Sequence, residues 1–86
     1  DEFDGVVTGI TNFGVFVQIG DLLVDGLVHV TSLSNDYYHF DAGTQRLVGE
    51  RTGRAYKLGD PMRVQVNRVD METRRIDFRP VEQRRR

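Results

Sequence analysis

An all-β domain, folded as a small closed barrel of five short strands, is what these 86 residues predict. Three observations carry that expectation. Short segments alternate apolar and polar residues, which is the mark of half-buried strands. Glycines fall where a small barrel must bend. No segment sustains a helical period, so an all-α reading is poor.

The first strand runs from Phe3 to Ile10. Gly5 and Gly9 interrupt it, as suits a strongly coiled strand turning a barrel corner. Asn12-Phe13-Gly14 is a tight-turn candidate, with Gly14 free to take positive φ. Gly14 to Ile19 alternates cleanly as the second strand, and Gly20-Asp21 breaks it. Asp25-Gly26 opens the third strand, Leu27 to Val30, and Thr31-Ser32-Leu33-Ser34 reads as one helical or 3₁₀ turn. Residues 35–53 read as a long loop, with Tyr37, Tyr38, His39 and Phe40 clustered inside it. Gly59-Asp60-Pro61 marks a turn. Met62 to Val69 is the fourth strand, Asp70-Met71-Glu72-Thr73 a hairpin turn, and Arg75 to Arg79 the fifth strand, which Pro80 ends. The expected organisation is a barrel domain over residues 1–80 and a basic, flexible tail over 81–86. A small sandwich or an SH3-like barrel is the competing arrangement.

Composition narrows the function classes. Hydrophobic residues make up 38% of the chain, enough for one small core. No apolar run approaches a membrane span. The start, Asp1-Glu2-Phe3-Asp4, is no signal peptide, and its lack of a methionine points to a piece of a longer protein. The absence of cysteine excludes disulfides, zinc–thiolate sites and a Cys nucleophile, and it fits a cytoplasmic origin. No DxDxD-like cluster, paired-carboxylate motif or HExxH spacing is present. Asp25, His29 and Ser32 are close in sequence but share no nucleophile elbow. The two histidines, ten residues apart, lack a third-ligand pattern. The chain therefore reads as a binding module with no catalytic site, metal or cofactor of its own.

Net charge is -1, but its distribution is lopsided. Residues 1–53 carry 2 basic residues (Arg46 and Arg51) against 8 acidic ones, and residues 54–86 carry 10 basic against 5 acidic. A basic half can hold a phosphate backbone without the whole domain being basic. The plainer reading is surface scatter with a solvated tail.

Strand alternation assigns faces. Val15, Val17 and Ile19 point inward, which turns Phe16 outward beside Gln18. Val28 and Val30 point in and His29 out, with Leu27 on the side of His29. Val64 and Val66 point in, leaving Arg63, Gln65 and Asn67 out. Val69 breaks the alternation, which predicts a β-bulge before Asp70. Ile76 and Phe78 point in, and Arg75, Asp77 and Arg79 out. An outward Phe16 near Phe13 and His29 forms a stacking platform for bases, worth about 1–3 kcal/mol per base with little sequence preference. Flanking arginines supply phosphate contacts or stack through their guanidinium planes. The competing reading has Phe13 and Phe16 capping the barrel ends as core.

These residues also carry a family likeness. Asp4 through Val17 with its Phe13-Gly14-Val15-Phe16-Val17 run, then Asp25-Gly26-Leu27-Val28-His29-Val30-Thr31-Ser32-Leu33, then Leu58-Gly59-Asp60, together resemble the S1 RNA-binding domain, an OB-fold barrel. The match covers about residues 3–79. The resemblance implies an RNA-contacting set of Phe13, Phe16, His29, Asp70 and Arg75. Arg74 is the alternative to Arg75, since the spacing from Asp70 depends on where the hairpin turns, and Arg63 and Arg68 are further phosphate candidates. The segments 34–41 and 49–60 are similar to the connection between the third and fourth strands in the S1 domain of ribonuclease R, a bacterial 3′-to-5′ exoribonuclease. That likeness implies single-stranded RNA as partner, contacts with the other domains of a parent nuclease, and a magnesium-dependent catalytic site in a separate domain. Two rival readings remain. One is a protein-docking module, with ribosome-associated factors among its partners and Tyr37 and Tyr38 either packing the long loop or serving the contact; His39 has no assigned role. The other is an S1 repeat of a translation-associated protein.

Overall fold

Val15, Val17 and Ile19 are buried and Phe16 is exposed, because a β-strand turns successive side chains to opposite faces. That alternation organises the computed structural model of the domain, which describes residues 1–20, 24–33 and 36–81. Asp21, Ser34, Asn35 and the basic tail beyond Val81, to which expectations were attached, lie outside the described residues. The strands are β1 (Glu2–Thr11), β2 (Gly14–Ile19), β3 (Val24–His29), β4 (Tyr38–Asp41), β5 (Arg46–Gly49), β6 (Ala55–Lys57), β7 (Pro61–Asp70) and β8 (Arg75–Pro80). A 3₁₀ turn, Val30–Ser32, follows β3.

Five of these strands close the expected barrel in the order β1-β2-β3-β8-β7, with β7 returning to β1. All neighbours run antiparallel except β3 and β8, which are parallel through Leu27 opposite Asp77 and Val28 opposite Phe78. Val7, Val15, Val17, Val28, Val64 and Phe78 fill the interior. The Phe78 ring lies against the β3 backbone at Gly26, and a Cβ there would overlap its edge. Gly14 answers to a similar close approach: a side chain at this position would meet the carbonyl oxygen of Val28.

Two expectations are corrected. Val66, read as inward core, is 41% exposed. The register of β7 against β8 shifts between Val66 and Arg68, so the bulge falls at Asn67. The segment read as a long loop instead forms a second, three-stranded sheet in the order β4-β5-β6. Its anchor is Leu47, fully buried in the barrel core, with Tyr38 and Tyr56 packed beside it and their rings 6.0 Å apart. Its hairpin is made by Asp41, whose Oδ1 accepts hydrogen bonds from the N–H groups of Gly43 (3.0 Å) and Thr44 (3.4 Å). Gln45 then takes a left-handed φ of 54° to bring Arg46 opposite Asp41.

Asp36 ties the entrance of this sheet to the turn after β5. Its carboxylate accepts the N–H groups of Tyr37 (2.7 Å), Arg51 (2.9 Å) and Thr52 (2.9 Å) and the Thr52 hydroxyl (2.7 Å). Desolvation pushes its pKa up, and these hydrogen bonds outweigh that push, leaving it well below the usual carboxylate range.

Two outcomes are expected. Gly26→Ala forces the Phe78 ring to move and should lower stability by about 1–3 kcal/mol, read as a shift in urea midpoint at constant slope. As pH falls through the ordinary carboxylate range, the unfolded chain protonates at residue 36 before the folded one does. The contribution of Asp36 is thus complete above that range and fades below it. Urea midpoints of Asp36→Asn should therefore decline less steeply with acid than those of the wild type; equal slopes would contradict this.

Candidate nucleic-acid interface

Phe16 projects from β2 over Gly9, its cross-strand partner on β1. A Cβ at Gly9 would sit 3.2 Å from the Phe16 ring, so the glycine lets the ring lie close to the sheet. Phe13 stands on the two-residue turn between β1 and β2. Thr11 shapes that turn: its hydroxyl donates to the Gly14 carbonyl (2.9 Å) and accepts the N–H groups of Phe13 (3.2 Å) and Gly14 (3.1 Å). The Phe13 carbonyl in turn accepts the Val30 N–H at 2.8 Å, fastening the turn to the end of β3. The two rings meet edge to face, with centroids 6.4 Å apart and planes at 85°, and they are 49% and 37% exposed. Such a pair is favourable in itself and leaves ring surface open to a third planar group.

The outward residues of the neighbouring strands form rows with these rings. Phe16 lies opposite Leu27, Leu27 opposite Asp77, and Asp77 opposite Arg68. His29, on the next row, brings Nε2 to 3.5 Å from Asp77 Oδ1. On the other side, Asp70 pairs with Arg75 where the β7–β8 hairpin closes. The bulge at Asn67 matters here. Without the extra residue, Arg68 and Asp70 would share the parity of Val64 and point inward; with it, they face out and Val69 takes the other side.

The outcome is a groove of about 480 Å³ that gathers Phe13, Phe16, His29, Arg68, Asp70, Arg74 and Arg75, with Asp25, Leu27, Thr73, Ile76 and Asp77 completing its walls. Seven of the eight residues singled out in the sequence therefore meet. The eighth, Arg63, lies elsewhere, at the β1–β7 seam, where it donates to Glu2 Oε1 (3.0 Å) and Asp4 Oδ1 (2.6 Å). Sequence reasoning placed Asp77 on the outward face without giving it a role. It also passed over Asp25, although that residue shares the parity of Leu27 and His29.

The hairpin fixes both arginine positions. Asp70 Oδ1 accepts the N–H groups of Glu72 (3.0 Å) and Thr73 (3.4 Å), and Arg74 takes a left-handed φ of 58°. The bond from the Thr73 backbone holds the Asp70 carboxyl below its usual pKa range. Asp70 is thus anchored in the turn, and Arg74 and Arg75 both line the groove. Among the described residues, no carboxylate forms a salt bridge with Arg68, Arg74 or Arg75. Arg74 and Arg75 keep their charges available to an anion and Arg68 shares its field with the Asp70 carboxylate, whereas the charge of Arg63 is spent on two carboxylates. Tyr37 and Tyr38 part company: Tyr37 is 71% exposed, and Tyr38 packs on Tyr56. His39 meets Glu50 at 3.2 Å on the small sheet.

The chain has close relatives. It is 55% identical over 76 residues to ribonuclease R of Escherichia coli, covering 88% of this chain and 9% of that protein. It is 51% identical over 82 residues to ribonuclease R of Vibrio cholerae, covering 95% of this chain and 10% of that protein. It thus spans about a tenth of the length of the curated relatives it matches. Among solved structures, ribonuclease R of Mycoplasma genitalium in complex with ribose-methylated single-stranded RNA superposes with a TM-score of 0.87 at 27% identity, over 94% of this chain and 13% of that one. The model of the S1 RNA binding domain matches residues 1–79, and the chain belongs to that family.

Proposed function

We propose that this domain grips a single strand of RNA along the groove between the Phe13–Phe16 pair and the β7–β8 hairpin. The observation that carries the reading is the meeting, in one groove, of two exposed rings, a histidine and three arginines that form no salt bridge among the described residues. Bases stack on Phe13 and Phe16. His29, oriented by Asp77, stacks or donates a hydrogen bond. Arg68, Arg74 and Arg75 face the phosphates, and Asp70 acts by holding the hairpin that presents two of them. A neutral stacking surface with separate cationic contacts suits RNA of many sequences, since every base has a π-face.

The relatives extend the proposal to the parent protein. A ribonuclease R-type 3′-to-5′ exoribonuclease of the cytoplasm would use this module to hold substrate and feed it to a separate, magnesium-dependent catalytic domain. The solved relative bound to single-stranded RNA supports the choice of ligand. A second reading, docking on other domains or on ribosome-associated factors, is favoured by one feature: Tyr37 stands exposed on the side of the small sheet.

Chemical-shift mapping with a short single-stranded oligo-RNA at low salt tests the main reading. Shifts are expected at Phe13, Phe16, His29 and Arg75; no movement at these residues would make docking the leading account. Phe16→Ala removes one stacking surface worth about 1–3 kcal/mol and should weaken binding about fivefold to 150-fold. Arg75→Gln should lower the slope of log K against log salt by about 0.7, the share of one phosphate on a single strand. An unchanged slope would remove Arg75 from the contact set.

A further inference from the structure

We infer that the RNA track continues beyond the groove onto Arg79, which Gln65 holds ready as an additional phosphate contact. The inference rests on the groove reading above and lengthens its footprint.

Arg79 lies on the outward side of β8, in alternation with Arg75 and Asp77. Its cross-strand partner on β7 is Gln65. Arg79 Nε and Nη2 both donate to Gln65 Oε1, at 3.1 and 2.8 Å. Two bonds to one oxygen fix the guanidinium plane, so less side-chain freedom remains to be lost when an anion arrives. The holder is a neutral amide. It orients the group and leaves the positive charge uncompensated, and no carboxylate among the described residues forms a salt bridge with Arg79. The contrast with Arg63 on the same strand pair is direct: there Glu2 and Asp4 supply the orienting bonds and neutralise the charge as well. An arginine oriented by a neutral partner, with its Nη1 donors unused among the described residues, is built to receive one more acceptor.

Position supports the assignment. Arg75 and Arg79 are four residues apart on one face, about 13 Å along an extended strand. That spacing accommodates two internucleotide steps of an extended single strand. Asp77 stands between them on β8, with His29 Nε2 3.5 Å from its carboxylate, so a strand whose bases rest on Phe13 and Phe16 would pass this pair on its way to Arg79. Arg79 does not line the groove itself, and a ligand short enough to fill only the groove would not reach it.

The test is a length series of oligouridylates, titrated at several salt concentrations against the wild type, Arg79→Gln, Gln65→Leu and Phe16→Ala. Wild-type affinity should rise with length until the track is filled. Arg79→Gln should reach its plateau about two nucleotides earlier, with affinity for the longest ligand lower by on the order of tenfold and a salt slope reduced by about 0.7. Gln65→Leu keeps the charge and releases the guanidinium, so it should weaken the longest ligand while keeping the wild-type slope. Phe16→Ala should weaken every length. If Arg79→Gln matches the wild type in plateau length and slope while Phe16→Ala weakens all ligands, the extension is wrong and the groove reading stands. If Phe16→Ala has no effect at any length, the groove reading fails and the extension with it.

Discussion

The parallel contact between β3 and β8 is the joint on which both fold and site depend. It consists of two residue pairs, Leu27 with Asp77 and Val28 with Phe78. The inward members, Val28 and Phe78, are fully buried, and Gly26 clears the space that the Phe78 ring occupies. The outward members belong to the groove. The same few residues therefore close the barrel and bring the aromatic strand pair beside the arginine hairpin. Loosening this joint would cost stability and separate the stacking surface from its cations in one step.

The lopsided charge of the sequence acquires a spatial meaning across that joint. The rings and His29 come from the acidic half of the chain, and the groove arginines come from the basic half. Neither half holds the whole site. The groove also keeps three carboxylates, Asp25, Asp70 and Asp77, and only Asp70 is anchored by turn hydrogen bonds. A groove of mixed sign holds RNA less tightly than a purely basic one.

Much of this was legible in the sequence because it rests on period-two alternation, a local property. The inward Val15-Val17-Ile19 face and the outward Phe16 follow directly from it, and the break at Val69 announced the bulge. Val66 was misread because alternation assigns a face and says nothing of how far along the barrel the cover extends. That Arg63 stands apart from the groove was not legible for a related reason: its partners Glu2 and Asp4 are some sixty residues away, and only the β1–β7 register brings them together. The small sheet was missed despite a usable signal. Asp41-Ala42-Gly43-Thr44-Gln45-Arg46 repeats the Asp-x-x-Thr-x-Arg spacing of Asp70-Met71-Glu72-Thr73-Arg74-Arg75. Both hairpins use one Asp oxygen to bind the next two available N–H groups, and both place the penultimate residue in the left-handed region. The repeated spacing thus marks both segments as hairpins.

The single extra residue in β7 has a consequence for how relatives of this domain are compared. Which of Arg68, Val69 and Asp70 meets solvent depends on a count of residues between the core and the hairpin, and not on their identities. Two chains with the same letters in this strand would present opposite chemistry if one lacked the insertion. An alignment that scores residue likeness and places its gap freely near Asn67 can thus equate a cation lining the groove with one turned toward the core. For this strand the phase of the backbone, more than the conservation of any side chain, is the character that relatives must share to share the site.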